Sequence, residues 1–182
     1  MAIQAADDII FVTDVRDGLT PVDQDVSKRL RYTDKPVTLA VNKSDNPILY
    51  QGAVDFYSLG FGDPIPISAH HNLGIDDLMA VVLAATPMVV ESDVNEDVLP
   101  LAIVGRVNVG KSAFLNAILG EDRTIVSEIP GTTRDAIDTP VLYQGQKILL
   151  IDTAGIRRRG RIVPGIERYS VLRSIQAIDR AE

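Results

Sequence analysis

The sequence predicts an α/β fold in which strands alternate with helices and a sheet is covered on both faces. Two observations carry this. Apolar, β-branched runs of strand length recur at 9–13, 37–41 and 99–104. Segments with helical spacing stand between and after them, clearest in the apolar positions 75, 78, 79, 82 and 83. Such alternation places a largely parallel sheet between helical layers.

Each element has a local reason. Ile-Ile-Phe-Val-Thr at 9–13 is a buried strand ending at Asp14. A helix start follows, with Thr20 as N-cap, Pro21 at the first helical position and Asp23 three residues past the cap. Val-Thr-Leu-Ala-Val at 37–41 is a second buried strand. Ile-Pro-Ile-Ser at 65–68 is a third, placed at an edge by its proline. Residues 74–85 form the helix just described. Residues 99–104 are a strand and 111–119 a helix, with Gly120 positioned to cap its end. Residues 141–143 and 147–151 flank Gln144-Gly145-Gln146 and predict a hairpin.

Composition narrows the function classes. Of the 182 residues 24% are charged, which excludes wholesale disorder. Without cysteine there is no disulfide scaffold, zinc knuckle or thiol nucleophile, and a reducing compartment is the natural home. The longest mostly apolar stretch, 78–90, is broken by Thr86 and Pro87 and is too short to span a bilayer. The N-terminus lacks the basic start and apolar core of a signal peptide. A soluble, cytoplasmic chain is expected. Residues 1–97 carry 6 basic and 16 acidic side chains, whereas residues 98–182 carry 12 and 9. The mildly basic second half accommodates an anionic ligand more easily. The acidic run at 91–97 reads as a solvated linker, dividing the chain into 1–86, a linker 87–98, and 99–182.

Gly-Arg-Val-Asn-Val-Gly-Lys-Ser at 105–112 fits G-x-x-x-x-G-K-[ST], and it follows a strand and opens a helix. Gly105 and Gly110 let the backbone wrap closely, so that N–H groups point inward at phosphate oxygens, and the helix N-terminus adds positive potential. Lys111 would reach the β- and γ-phosphates and the Ser112 hydroxyl would bind Mg²⁺. Asp152-Thr-Ala-Gly155 follows a strand about forty residues later. There Asp152 can hold Mg²⁺ through water, and the Gly155 N–H can bind a γ-phosphate.

Asn42-Lys43-Ser44-Asp45 stands at a strand end with the form N-K-x-D. The Asp45 carboxylate can accept from N1–H and the 2-amino group of guanine, a donor pair adenine does not offer. Leaving such a carboxylate unpaired is costly, so the pairing discriminates between bases. The Lys43 stem can cover the base plane and Asn42 can tie loops together. Backbone N–H groups of Ser68, Ala69 and His70 would meet guanine O6. His70 and His71, without cysteine or other histidine partners, read as loop residues and not as metal ligands.

These segments, with Pro-Gly-Thr-Thr-Arg-Asp at 130–135, resemble the five GTPase motifs. With Ile-Arg-Arg-Arg-Gly at 156–160 and Gly-Ile-Glu-Arg-Tyr-Ser at 165–170 they resemble the bacterial tandem GTPases of the Der (EngA) family over nearly the whole chain. The resemblance implies a P-loop NTPase sheet and GTP or GDP as ligand. It also implies a partner in the large ribosomal subunit, with no role for membrane or DNA. It adds Val109, Ala113 and Asn108 to the nucleotide-binding residues. It assigns Thr133 to Mg²⁺ and Asn108 and Thr132 to an activating K⁺, with carbonyls near Ser127 and Ile129, the register of the two threonines being open by one. Ile156 stands where many GTPases carry a water-orienting glutamine.

The GTPase elements occur in permuted order, guanine motifs first. In a Der-like protein 1–86 would be the second half of one GTPase domain and 99–182 the first half of the next. Ala2-Ile-Gln-Ala-Ala-Asp7 and Ala177-Ile-Asp-Arg-Ala-Glu182 match at four of six positions, counting Asp7 against Glu182, as a duplicated domain requires. One α/β domain sharing a site between Asp45 and Lys111 is expected, in cis or by domain swapping. A naturally permuted ribosome-assembly GTPase is the alternative. So is a nucleotide-dependent RNA-binding module without turnover, using Arg157, Arg158, Arg159 and Arg161 on phosphates.

Overall fold

β1 (Asp8–Asp14) is buried along all seven residues and pairs in parallel on both sides, with β2 (Val37–Asn42) and with β4 (Val98–Val104). The chain is seen in a computed structural model that describes residues 2–85, 98–119, 124–126 and 138–151. The remaining elements are the helices α1 (Ala2–Ala5), α2 (Pro21–Leu30), α3 (Pro47–Gly52), α4 (Ile75–Ala85) and α5 (Lys111–Leu119), and a 3₁₀ helix over Ala53–Leu59. The strands β3 (Ile65–Pro66), β5 (Thr124–Val126), β6 (Thr139–Tyr143) and β7 (Gln146–Ile151) complete the seven-stranded sheet, in the order β3-β2-β1-β4-β7-β6-β5. β3 to β7 along that order are parallel, and β6 and β5 are antiparallel additions.

Side chains of β1 alternate between two cores. Ile10 and Val12 join Leu78, Met79 and Val82 of α4 and Phe114, Leu115 and Ile118 of α5. Ile9 and Phe11 face Leu30 of α2 and Ala53, Phe56 and Leu59 of the 3₁₀ helix. Burying each large side chain is worth about 1.5–3 kcal/mol, so the three from α5 fix the start of that helix over the end of β4. A smaller cluster of Ala6, Ala102, Leu149 and Ile151 lies under α1.

Most expected elements stand where the pattern placed them. Thr20 and Asp23 form the expected capping box at α2, and β6 and β7 are joined by a two-residue turn at Gln144 and Gly145, both with positive φ. Three differences have physical reasons. The third strand spans Ile65–Pro66; Ile67 still donates its N–H to the Val41 carbonyl and accepts from the Ser44 N–H, and Ser68 then turns away to bridge Leu73 in a tight loop. Val98, assigned to the linker, is the first residue of β4 and pairs with Lys147. The sheet is mixed, as the expected hairpin requires, since it turns β6 back, and a short strand β5 outside the expected elements pairs with β6. Gly120 and the acidic run lie outside the described residues.

Candidate functional site

Four strand ends converge at one end of the sheet. β1 ends at Asp14, β2 at Asn42, β3 two residues before Ser68, and β4 at Val104, immediately before the 105–112 loop that opens α5. Ligands of α/β sheets collect at these carboxyl ends.

Asn42 is the junction. Its Nδ2 donates to the Val109 carbonyl at 2.7 Å, and its Oδ1 accepts from the Ala69 N–H at 3.0 Å. It is buried, so both ends of one carboxamide are committed to two loops. The loop passes so close that a Cβ on Gly110 would lie 2.2 Å from Asn42 Nδ2, and one on Gly105 would lie 2.2 Å from the Val12 carbonyl oxygen. Gly105, Asn108 and Gly110 all have positive φ. Asn108 tolerates this conformation better than most non-glycine residues. The loop is the cradle a phosphate needs, with no side-chain bulk at its two tightest points.

Lys111 is the first residue of α5, and its Nζ donates to the carbonyls of Gly105 (2.7 Å) and Arg106 (2.5 Å), folding it back over the loop. Ser112 and Ala113 follow in the first turn. Val109 is fully buried and holds the loop to the core.

The residues expected to read a base form a polar cluster on the other side of Asn42. Asp45 Oδ1 accepts from Ser68 Oγ at 2.7 Å, and Oδ2 pairs with Arg16. The Ser68 hydroxyl, and after it Arg16, hold this carboxyl below the usual carboxylate range despite partial desolvation. Lys43, at φ +67°, pairs its ammonium with the buried Asp14, so its stem runs along the cleft. Of the three N–H groups expected to meet a base, Ser68's donates to Leu73 O and Ala69's to Asn42. The His70 N–H is the one among the three with no protein acceptor in the described residues. Arg16, Asn42, Lys43, Asp45, Ser68, His70, His71, Gly110 and Ala113 line a cleft of about 190 Å³. Both halves of the chain contribute to it. That volume is below the roughly 300–1,000 Å³ of small-molecule pockets, and Arg16 stands within it.

Sequence reasoning missed two contributors. Arg16 occupies Asp45, and Arg106, inside the loop, reaches Asp17 and Asp23. The signal for Arg106 was a second charged side chain, besides Lys111, at an unspecified position of the loop motif. Thr132, Thr133, Asp152, Gly155, Ile156 and the arginines at 157–161, with Ser127 and Ile129, lie outside the described residues. Of the expected metal ligands, Ser112 and Asn108 are described. They fit an anion-bound cation in chemistry, a hydroxyl and a carboxamide oxygen beside a phosphate cradle.

Residues 100–182 match a family model described as 50S ribosome-binding GTPase. The chain is 52% identical to GTPase Der of Geobacillus thermodenitrificans over 182 residues, all of this chain and 42% of that protein. GTPase Der of Herpetosiphon aurantiacus is 54% identical over 180 residues, 99% of this chain and 40% of the relative. Among solved structures, that of YjeQ from Thermotoga maritima aligns at 18% identity and a TM-score of 0.48, covering 83% of this chain and 49% of the other. The chain is therefore similar to the Der GTPases along its whole length, and it spans about two-fifths of the length of those relatives.

Proposed function

We propose that the chain binds GTP and GDP in the cleft between residues 42–45 and 105–113 and hydrolyses GTP with Mg²⁺. In this reading it is a segment of a Der-like GTPase acting on the large ribosomal subunit in the cytoplasm. Residues 1–86 act as the guanine-recognition half and 99–182 as the phosphate-binding half of a P-loop GTPase in permuted order. The observation that carries the reading is Asn42, whose single carboxamide ties the N-K-x-D segment to the phosphate loop at Val109 and to the 68–70 loop at Ala69.

The residues divide the work. Asp45 exchanges Ser68 and Arg16 for the N1–H and 2-amino donors of guanine, while the His70 N–H meets O6 and the Lys43 stem covers the base. The backbone N–H groups from Gly105 to Ala113 surround the phosphates. Lys111 leaves the Gly105 and Arg106 carbonyls for the β- and γ-phosphate oxygens, exchanging neutral acceptors for charged ones. Ser112, with Thr133 and Asp152, would hold Mg²⁺, whose charge offsets that of the phosphates. Gly155 would donate its N–H to the γ-phosphate. Asn108 and Thr132 would hold K⁺ where an arginine finger acts in other enzymes.

Titrating the purified chain with labelled GTP and ATP, and then following one turnover of bound GTP, tests this. One guanine nucleotide per chain, preference over ATP, and phosphate release are expected. Equal affinity for GTP and ATP would overturn guanine recognition. Tight binding without phosphate release would leave a nucleotide-dependent binding module.

A further inference from the structure

Arg106 lies in the phosphate loop, yet its side chain serves the other half of the chain. Its Nη2 donates to Asp17 Oδ2 at 2.6 Å, and its Nε lies 3.4 Å from Asp23 Oδ1. Only 14% of the Arg106 side chain is exposed, and Asp23 is wholly buried. A buried carboxylate without a countercharge is costly, so the pair is held firmly once formed.

Asp23 has a second task. Its Oδ2 accepts from the N–H and the hydroxyl of Thr20, at 3.1 and 2.6 Å, closing the capping box of α2. One carboxylate therefore ends a helix and faces the phosphate loop. On the loop side, the carbonyl of Arg106 is one of two that hold Lys111 Nζ. Positions 17 to 23, Arg106 and Lys111 thus form one chain of contacts. Arg106 carries the net balance of this environment: burial works against its charge, but Asp17, Asp23 and Asp14 outweigh that and raise its pKa.

We propose that Arg106 is a positioning residue: with Asp17 and Asp23 it fixes the phosphate loop, so that Lys111 meets the diphosphate of a guanine nucleotide in the right place. The proposal rests on the nucleotide reading above. It requires Arg106 to act on phosphate affinity and not on base choice, because among the described residues no contact of this network reaches Asp45.

The test measures GDP and guanosine affinities of the full chain with Arg106→Ala, Arg106→Lys, Asp17→Ala and the Arg106→Ala/Asp17→Ala pair, after thermal melting shows each is folded. Arg106→Ala is expected to weaken GDP about tenfold while guanosine affinity stays the same. Asp17, 54% exposed, should contribute about two- to fivefold, and nothing further once Arg106 is gone. Arg106→Lys should restore part of the loss. Equal losses for GDP and guanosine, or additive effects of the two substitutions, would overturn the proposal. Should the unmutated chain bind no guanine nucleotide, the functional reading fails on its own. Amide exchange of residues 105–112, measured without nucleotide, then decides the positioning role. Faster exchange in both single variants, with no further rise in the pair, supports it, and unchanged exchange overturns it.

Discussion

Asn42 and Val109 stand 67 positions apart in sequence and 2.7 Å apart in space, Nδ2 to carbonyl oxygen. No other side-chain hydrogen bond in the described residues brings the guanine-type motif directly onto the phosphate-type loop. Asn42→Ala would strip buried partners from the Val109 carbonyl and the Ala69 N–H together. Each stranded group costs about 1–3 kcal/mol, so urea denaturation should show a loss of about 2–4 kcal/mol. A loss below about 0.5 kcal/mol would mean that the two loops are held by other contacts.

The loop glycines offer an internal comparison. Gly105→Ala and Gly110→Ala meet a backbone oxygen and the Asn42 amide at 2.2 Å, whereas Gly145→Ala, also at positive φ, meets open space. Gly145→Ala should cost about 1–2 kcal/mol from backbone strain alone. The other two should cost distinctly more, and nucleotide binding should fall with them. Equal costs at all three sites would show that the loop yields.

Base choice should rest on Asp45. Asp45→Asn should remove about 2–4 kcal/mol of GTP affinity and narrow the preference over ATP. Its pH dependence has a definite sign. The Ser68 hydroxyl and Arg16 favour the charged carboxylate in the folded chain, lowering its pKa from 3.8. The stabilisation is thus complete above the unfolded value and fades as pH falls through the lower folded value. The stability gap between Asp45→Ala and the unmutated chain should therefore be constant from pH 5 to 7 and shrink below pH 4. A gap that widened on acidification would contradict the assignment.

Lys111→Ala should act differently. Losing the ammonium should weaken GTP and GDP binding at least tenfold without altering the ratio of guanine to adenine affinity. A changed ratio would place Lys111 nearer the base than the loop geometry does.

Turnover should depend on the monovalent cation, since Ile156 cannot orient water. Comparing GTP hydrolysis in KCl and NaCl at matched ionic strength should show faster rates in KCl, and Asn108→Ala should abolish the difference. Equal rates in both salts with measurable turnover would exclude a potassium role.

Much of the fold was legible because its signals were local. The Thr20-Pro21-Asp23 cap starts α2, and α5 begins at the lysine that ends the loop motif. α3 and the 3₁₀ helix were missed although Asn46 caps and Pro47 opens the former. There Leu49, Ala53, Phe56 and Leu59 do recur towards the core at helical spacing, but the exposed apolar Ile48, Tyr50, Val54 and Tyr57 between them blur the period. The loop motif and the N-K-x-D segment stood out as candidate sites because each spacing is a chemical requirement. Arg16 on Asp45 and Arg106 on Asp23 did not. An ion pair between distant segments leaves no period in the sequence, and only the folded sheet brings its members together.

The β1–β4 pairing has a consequence in time. Ile9 lies opposite Ala102, about ninety residues on, while its partner on the other side, Val37, is close in sequence. Contacts of such long range raise contact order and slow folding, because a long loop must close before they form. On a ribosome adding about 5–20 residues per second, β1 emerges roughly 5–20 s before β4 exists. Through that interval the apolar strand middle, Ile9 to Val12, has β2 as its one strand partner among the described residues. Such an edge invites pairing with other chains. Among the described residues, the β4 side of β1 is therefore open to pairing with other chains until residue 98 is made, and β4 then covers it.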